Sequence, residues 1–217
     1  MIARSFVLTL GMATGIWMAA ASAQATLILS SSGTPDENRS NFNGTVGTRF
    51  QTGASSLKVT ALGFEDTGFS SSHQVGLWTD AGALVASTTV VGTDTLMSQW
   101  RFATLGAPVI LAPNTVYRLG GETISGGDPF TDSYDSEGGD SIINFGLNAP
   151  LITMGTVSNY FSHGAFSFPA FNAGNDAFRW APANAVFEVV VPEPSTLLLT
   201  ALGVLGFGLY GWRKRRK

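Results

Sequence analysis

The sequence predicts an all-β fold, an antiparallel β-sandwich of jelly-roll type, and three observations carry that expectation. Apolar and polar residues alternate with a period of two in short runs. Those runs recur at about ten-residue spacing, separated by Gly, Pro, Asn and Asp. Between the two termini no stretch places apolar residues at i, i+3 and i+4 between helix caps, so helices are expected only at the ends. Successive strand side chains point to opposite faces, so period-two alternation means one face buried and one solvated.

The runs follow in order. In "SLKVTALGF" (56–64), Leu57, Val59, Ala61 and Gly63 alternate with Ser56, Lys58, Thr60 and Leu62. "HQVGLWT" (73–79) and "ALVASTTVV" (83–91) flank Asp80-Ala81-Gly82, a hairpin turn in which Gly82 supplies a positive φ. "QWRFATL" (99–105) and "PVILA" (108–112) come next, with Pro108 and Pro113 bracketing the second run, where a ladder tolerates missing donors. Ala112-Pro113-Asn114-Thr115 forms a corner before "TVYRLGGET" (115–123), and "AVFEVVV" (185–191) closes the series.

Composition removes several classes of function. The 217 residues include no cysteine, which excludes disulfides, thiolate metal sites and a cysteine nucleophile. Residues 24–191 hold 14 Asp and Glu against 6 Lys and Arg, a net of −8. Nucleic acid is therefore not an expected partner, because releasing the counterions of a polyanion needs clustered cations.

Both ends depart from the strand pattern. "MIARSFVLTLGMATGIWMAAASAQA" (1–25) has one early cation, Arg4, an apolar stretch and small residues spaced for signal peptidase, and is read as a cleaved signal peptide. At the other end Ser195–Trp212 carries no charge. As a helix these 18 residues reach roughly 27 Å, close to the roughly 30 Å hydrocarbon layer, so a transmembrane helix is expected there. Arg213, Lys214, Arg215, Arg216 and Lys217 behind it form a cytoplasmic stop, leaving residues 26–190 outside the cell.

Val191-Pro192-Glu193-Pro194, an apolar helix and a basic end, in that order, resemble the PEP-CTERM sorting signal of Gram-negative bacteria. The resemblance implies Pro192, Glu193 and Pro194 as the processing motif, an exosortase as partner, a transient inner-membrane stage and delivery to the cell surface or extracellular matrix. A second resemblance lies in the exported part. "GTRF", "VGLW", the hairpin return "GALVA", "WRFATL" and "PVILAPNTVY", spread over residues 47–121, are similar to a bacterial extracellular β-sandwich module of unknown function. These motifs specify core and turns rather than chemistry.

Candidate sites are few. "GGDPFTDSYDSEGGD" (126–140) reads first as a solvated loop and second as a calcium site, with Asp128, Asp132, Asp135 and Asp140 as hard oxygen ligands. Calcium is the one candidate cofactor, and Glu65 with Asp66, expected in the loop before Phe69, form a weaker second place for it. A Ser-His-Asp triad would need His73 or His163. His73 is expected at a sheet edge and His163 in a structural role. "YFSHGAFSFPAF" (160–171) is rich in Phe and is read mainly as core, with Phe166 and Phe168 on one side of a strand and a sugar or protein face as the alternative. The expected function is that of a non-catalytic surface or matrix protein, structural or adhesive in an exopolysaccharide biofilm. A carbohydrate-binding module is the first alternative and a polysaccharide hydrolase the second.

Overall fold

The computed structural model describes residues 25–32, 38–131, 144–147, 151–153, 159–173, 180, 182–190 and 203. Asp132, Asp135, Asp140, Pro192, Glu193, Pro194 and Arg213–Lys217 lie outside the described residues, as do the signal segment 1–24 and, Gly203 apart, the helix expected over 195–212. Among the described residues no helix is long and apolar enough to cross a membrane.

The described residues form strands in this chain order. The first eight are β1 (Thr26–Leu27), β2 (Leu29–Ser32), β3 (Asn38–Arg39), β4 (Gly44–Thr52), β5 (Leu57–Glu65), β6 (His73–Thr79), β7 (Leu84–Val90) and β8 (Thr95–Met97). Then come β9 (Trp100–Leu111), β10 (Val116–Thr123), β11 (Phe130–Thr131), β12 (Asn144–Leu147), β13 (Ile152–Thr153), β14 (Asn159–His163), β15 (Phe171–Asn172) and β16 (Ala183–Val189). One sheet has the order β1-β16-β5-β9-β8 and the other β15-β14-β4-β10-β6-β7, with β13 also on β4. Every pairing between the described strands is antiparallel, and β3 with β11 and β2 with β12 add two short pairs.

The core fills the space between the sheets. Leu57, Val59 and Ala61 of β5, Trp100 and Phe102 of β9, and Ala185 and Phe187 of β16 pack with Phe50, Val75, Leu77, Tyr117 and Leu119 of the second sheet. The alternation in "SLKVTALGF" has its physical origin here, since Leu57 and Val59 are buried while Lys58 and Thr60 are half-buried. From Ala61 onward β5 is buried on both faces, so Leu62 and Phe64 are core as well. Trp100, fully buried, needs no ligand to explain it.

The turns follow their chemistry. Gly82 has φ of 92° and donates to the Thr79 carbonyl at 3.0 Å, closing the expected hairpin. Asn114 takes φ of 50° in the 112–115 corner, a conformation that Asn tolerates better than most side chains.

Three expectations need correction. The runs 99–105 and 108–112 are one strand, β9, and Pro108 lies within it. The ladder skips there: Val59 faces Val109 and Ala61 faces Thr104, so Leu105–Pro108 bulge opposite Thr60 and Pro108 needs no ladder donor. His73 opens β6 as expected, but β6 lies between β10 and β7 and His73 is buried, so it is not at an edge. Phe166 and Phe168 follow the end of β14 rather than sharing a strand.

Candidate functional site

The sandwich has two ends, fixed by β16. The chain enters this strand beside Trp180 and leaves it at Val190, whose N–H donates to the Ser56 carbonyl at 2.9 Å. The exit end gathers the 53–56, 79–83 and 112–115 turns. The entry end gathers the start of β4, the end of β5, the start of β6 and residues 124–131.

At the entry end the segment before β11 is pinned by buried polar groups. Asp128 is 4 % exposed and His73 1 %. The Asp128 carboxylate accepts from the Ser70 and Ser71 backbone N–H groups at 2.8–2.9 Å, from the Ser71 hydroxyl at 3.0 Å and from the Ser70 hydroxyl. Its fifth partner is His73 Nε2 at 3.0 Å. Burial works to raise the Asp128 pKa, but these donors outweigh it and hold the carboxyl well below the ordinary carboxylate range. His73 Nδ1 donates to the Glu122 carbonyl at 2.9 Å. Both ring nitrogens thus face oxygen atoms, the Glu122 carbonyl on one side and the Asp128 carboxylate on the other. Phe64 stacks on that ring at 3.8 Å, with 5° between the planes, and Phe69 meets it edge-on.

This geometry differs from a hydrolytic triad in one definite way. In a triad the imidazole bridges a carboxylate and a hydroxyl. Here His73 bridges a carboxylate and a backbone carbonyl, while both serine hydroxyls donate to the carboxylate. The arrangement fastens residues 124–131 to β6.

Glu65 is a second anchor for the same segment. It is the last residue of β5 rather than a loop residue, and it is 1 % exposed. It accepts from Thr131 N–H at 2.9 Å, Thr131 Oγ1 at 2.5 Å and Gln99 Nε2 at 2.8 Å. Burial pushes its carboxyl up to about 7 despite those donors. Neighbouring Asp66 instead pairs with Arg101 at 2.7 Å. The two acids of the weaker calcium candidate therefore serve different partners. Among the described residues no three His, Cys, Asp or Glu side chains are placed to hold a metal ion.

The aromatic run 160–171 divides between two places. Phe166 and Phe168 pack over Trp78 on the outer face of the second sheet, at 5.3 and 6.3 Å. Arg118 inserts between Tyr160, 3.9 Å from its guanidinium carbon, and Phe168, at 4.6 Å, while donating to Asp80 and to the Pro169 carbonyl. Asp80 also pairs with Arg49 at 3.0 Å. Hydrogen bonds from Arg49 and then Arg118 lower the Asp80 pKa despite partial burial. This cluster straps residues 166–170 onto the sheet.

The second place is a groove at the entry end. Arg39, Phe42, Phe161, His163, Asn172 and Trp180 line a cavity of about 490 Å³. Phe161 meets Phe42 and Trp180 edge-on, at 5.9 and 6.2 Å. Arg39 lies 5.4 Å from the Phe42 ring centre and 5.8 Å from that of Trp180. Phe171, 57 % exposed, flanks Phe161 at 5.7 Å. His163 is exposed among these rings, 5.4 Å from Phe42 and 5.2 Å from Phe161. The aromatic density of 160–171 signals part of this groove. Phe42 and Trp180 lie outside that run, and β3–β11 pairing and the entry to β16 bring them in from remote parts of the chain.

Residues 190–216 match the PEP-CTERM protein-sorting motif, which begins at Val190, the last described residue of the sandwich. A β-sandwich joined directly to this motif defines the class: an exported, surface-directed protein recognised by an exosortase. Residues 32–178 match a domain of unknown function, DUF4082, and the chain belongs to that family. The match is wider than the 47–121 span that carries the motif resemblance, and it takes in 122–178 as well. No curated protein matches the chain.

Proposed function

We propose that this protein is a non-catalytic component of the extracellular polysaccharide matrix of a Gram-negative bacterium, with a structural or adhesive role, released from the inner membrane by exosortase-type processing. The observation that carries the reading is the direct join between fold and signal. Val190 is still hydrogen-bonded to Ser56, and the sorting motif starts at that residue, so the sorting signal delivers the sandwich itself. The His73–Asp128 pair is engaged in holding residues 124–131, which fits a structural use of groups that could otherwise do chemistry.

Mass measurement of the extracellular form, together with fractionation of the producing cells, tests this. The expected product lacks Arg213–Lys217, ends near Pro192–Pro194 and co-fractionates with exopolysaccharide; a deletion strain forms a weaker matrix. Full-length protein retained in the inner membrane, or hydrolysis of the matrix by the purified protein, overturns the reading.

A further inference from the structure

We propose that the groove between Phe42, Phe161 and Trp180 is a saccharide-binding site, taking a chain of glucose-type pyranoses with equatorial hydroxyls. The inference rests on the surface-protein reading above and deepens it by naming a ligand class.

The first support is the chemistry of the lining. An all-equatorial pyranose is amphipathic in layers, with flat C–H faces above and below and hydroxyls around the rim. The groove has the complementary arrangement. Its rings offer apolar faces and edges, while Asn172, His163 and Arg39 bring an amide, an imidazole and a guanidinium to the same cavity. Among the described residues none that lines it carries a carboxylate, although residues 24–191 have a net charge of −8. At about 490 Å³ it falls within the roughly 300–1,000 Å³ typical of small-ligand sites.

The second support is exposure. A large ring left 57 % exposed beside other aromatics is what a stacking ligand would cover, and Phe171 occupies that position on the edge strand β15.

The third is placement. Trp180 lies at the entry of β16 and the sorting signal follows its exit. The seven-residue strand separates them by roughly 20 Å. A sandwich attached through residue 190 therefore carries the groove at the end opposite its attachment.

The test is calorimetric titration of the protein, purified from whichever fraction holds it, membrane or culture medium, with cellohexaose and with mannohexaose, whose axial 2-hydroxyl breaks the flat face. Cellohexaose is expected to bind and mannohexaose to bind at least several-fold more weakly. Phe171→Ala, at an exposed position that leaves the core untouched, is expected to weaken cellohexaose binding about three- to tenfold, in line with the worth of one aromatic contact. Leu84→Ala, on the edge strand β7 at the other margin of the same sheet and 54 % exposed, is expected to change nothing. No binding to cellohexaose, equal binding of both oligosaccharides, or equal effects of the two substitutions would overturn the assignment. Binding concerns the purified sandwich and sorting concerns the cell, so a protein that binds cellohexaose yet stays in the inner membrane would sink the surface reading alone.

Discussion

The two ends of the sandwich are built on different principles. At the exit end, backbone hydrogen bonds and partly exposed polar pairs close the turns: Gly53 donates to the Leu151 carbonyl, Asn114 to Gly53 and Val190 to Ser56, while Arg49 and Arg118 hold Asp80. At the entry end the fold spends buried polar groups, with Asp128 on His73, Ser70 and Ser71, and Glu65 on Thr131 and Gln99. Burying charge costs several kcal/mol per ion unless every lone pair finds a donor. The exit-end ion pairs keep their charges partly in water, so the costlier burial at the entry end marks where a long segment has to be held in one position. Both anchors fasten residues 124–131, which lead into the acidic run.

The strongest way to break this contrast is to remove one partner of the buried pair. Asp128→Ala leaves His73 and two backbone N–H groups without their acceptor, and the expected loss is about 3–5 kcal/mol in denaturant unfolding. His73→Ala should cost a similar amount, and the double substitution less than the sum, because the two changes remove one shared interaction. A loss below about 1 kcal/mol for Asp128→Ala would mean that the segment is held by something else.

The second anchor is distinguished by pH. Glu65 is raised from 4.5 to about 7 in the fold, so the native state favours its protonated form. Stability from this group is fully present below pH 4.5 and is lost as pH rises through about 7. At roughly 1.4 kcal/mol per unit the loss amounts to about 3 kcal/mol. Asp128 acts in the opposite sense: its carboxyl is depressed, so its contribution is present above the ordinary carboxylate range and lost as pH falls below it. Unfolding free energies from pH 4 to 8 should therefore decline toward alkaline pH in the wild type, and Glu65→Gln should flatten the decline. An unchanged slope in Glu65→Gln would assign the pH dependence to another group.

This contrast also decides what the sequence could reveal. The exit end was legible, because Asp80-Ala81-Gly82 and Ala112–Thr115 are local turns whose residues state their own backbone requirements. Period-two alternation likewise located β5, β6, β7 and β10 to within about a residue. The entry end was not legible. His73 and Asp128 are 55 positions apart and Glu65 and Thr131 are 66, and nothing local in "SSSH" or "GGDPF" announces a partner. His73 lies inside the sheet rather than at the edge its sequence suggests, because strand order is set by long-range pairing, here with β10 and β7. Pro108 misled for a related reason: a bulge belongs to the pair of strands, and a proline read in one strand looks like its end.

A smaller effect is expected from the exit-end hairpin. Gly82 sits at φ of 92°, where a Cβ is strained, and a Cβ there would also meet Phe168 at 3.3 Å. Gly82→Ala should cost about 1–2 kcal/mol, read as a shift of the unfolding midpoint at constant m-value. That is below the cost of about 3–5 kcal/mol expected for Asp128→Ala, as the comparison of the two ends requires.

The smallest effect is the sharpest control, because it is an ion pair at the exit end. Lys58 and Glu188 face each other across β5 and β16 at 3.2 Å, nearly the His73–Asp128 separation, but their side chains are 41 % and 31 % exposed. Water solvates both charges whether or not they meet, so Lys58→Met should change stability by about 0.5 kcal/mol or less, and by less still in 1 M salt, where the Debye length is about 3 Å. The buried pair has no such alternative: its carboxylate meets donors only within the fold, so salt should leave the Asp128→Ala effect nearly unchanged. Measuring both substitutions at low and high salt separates burial from charge as the origin of the difference. A salt-sensitive Asp128→Ala effect would mean that water reaches the entry end, and the contrast between the two ends would then reduce to ordinary surface electrostatics.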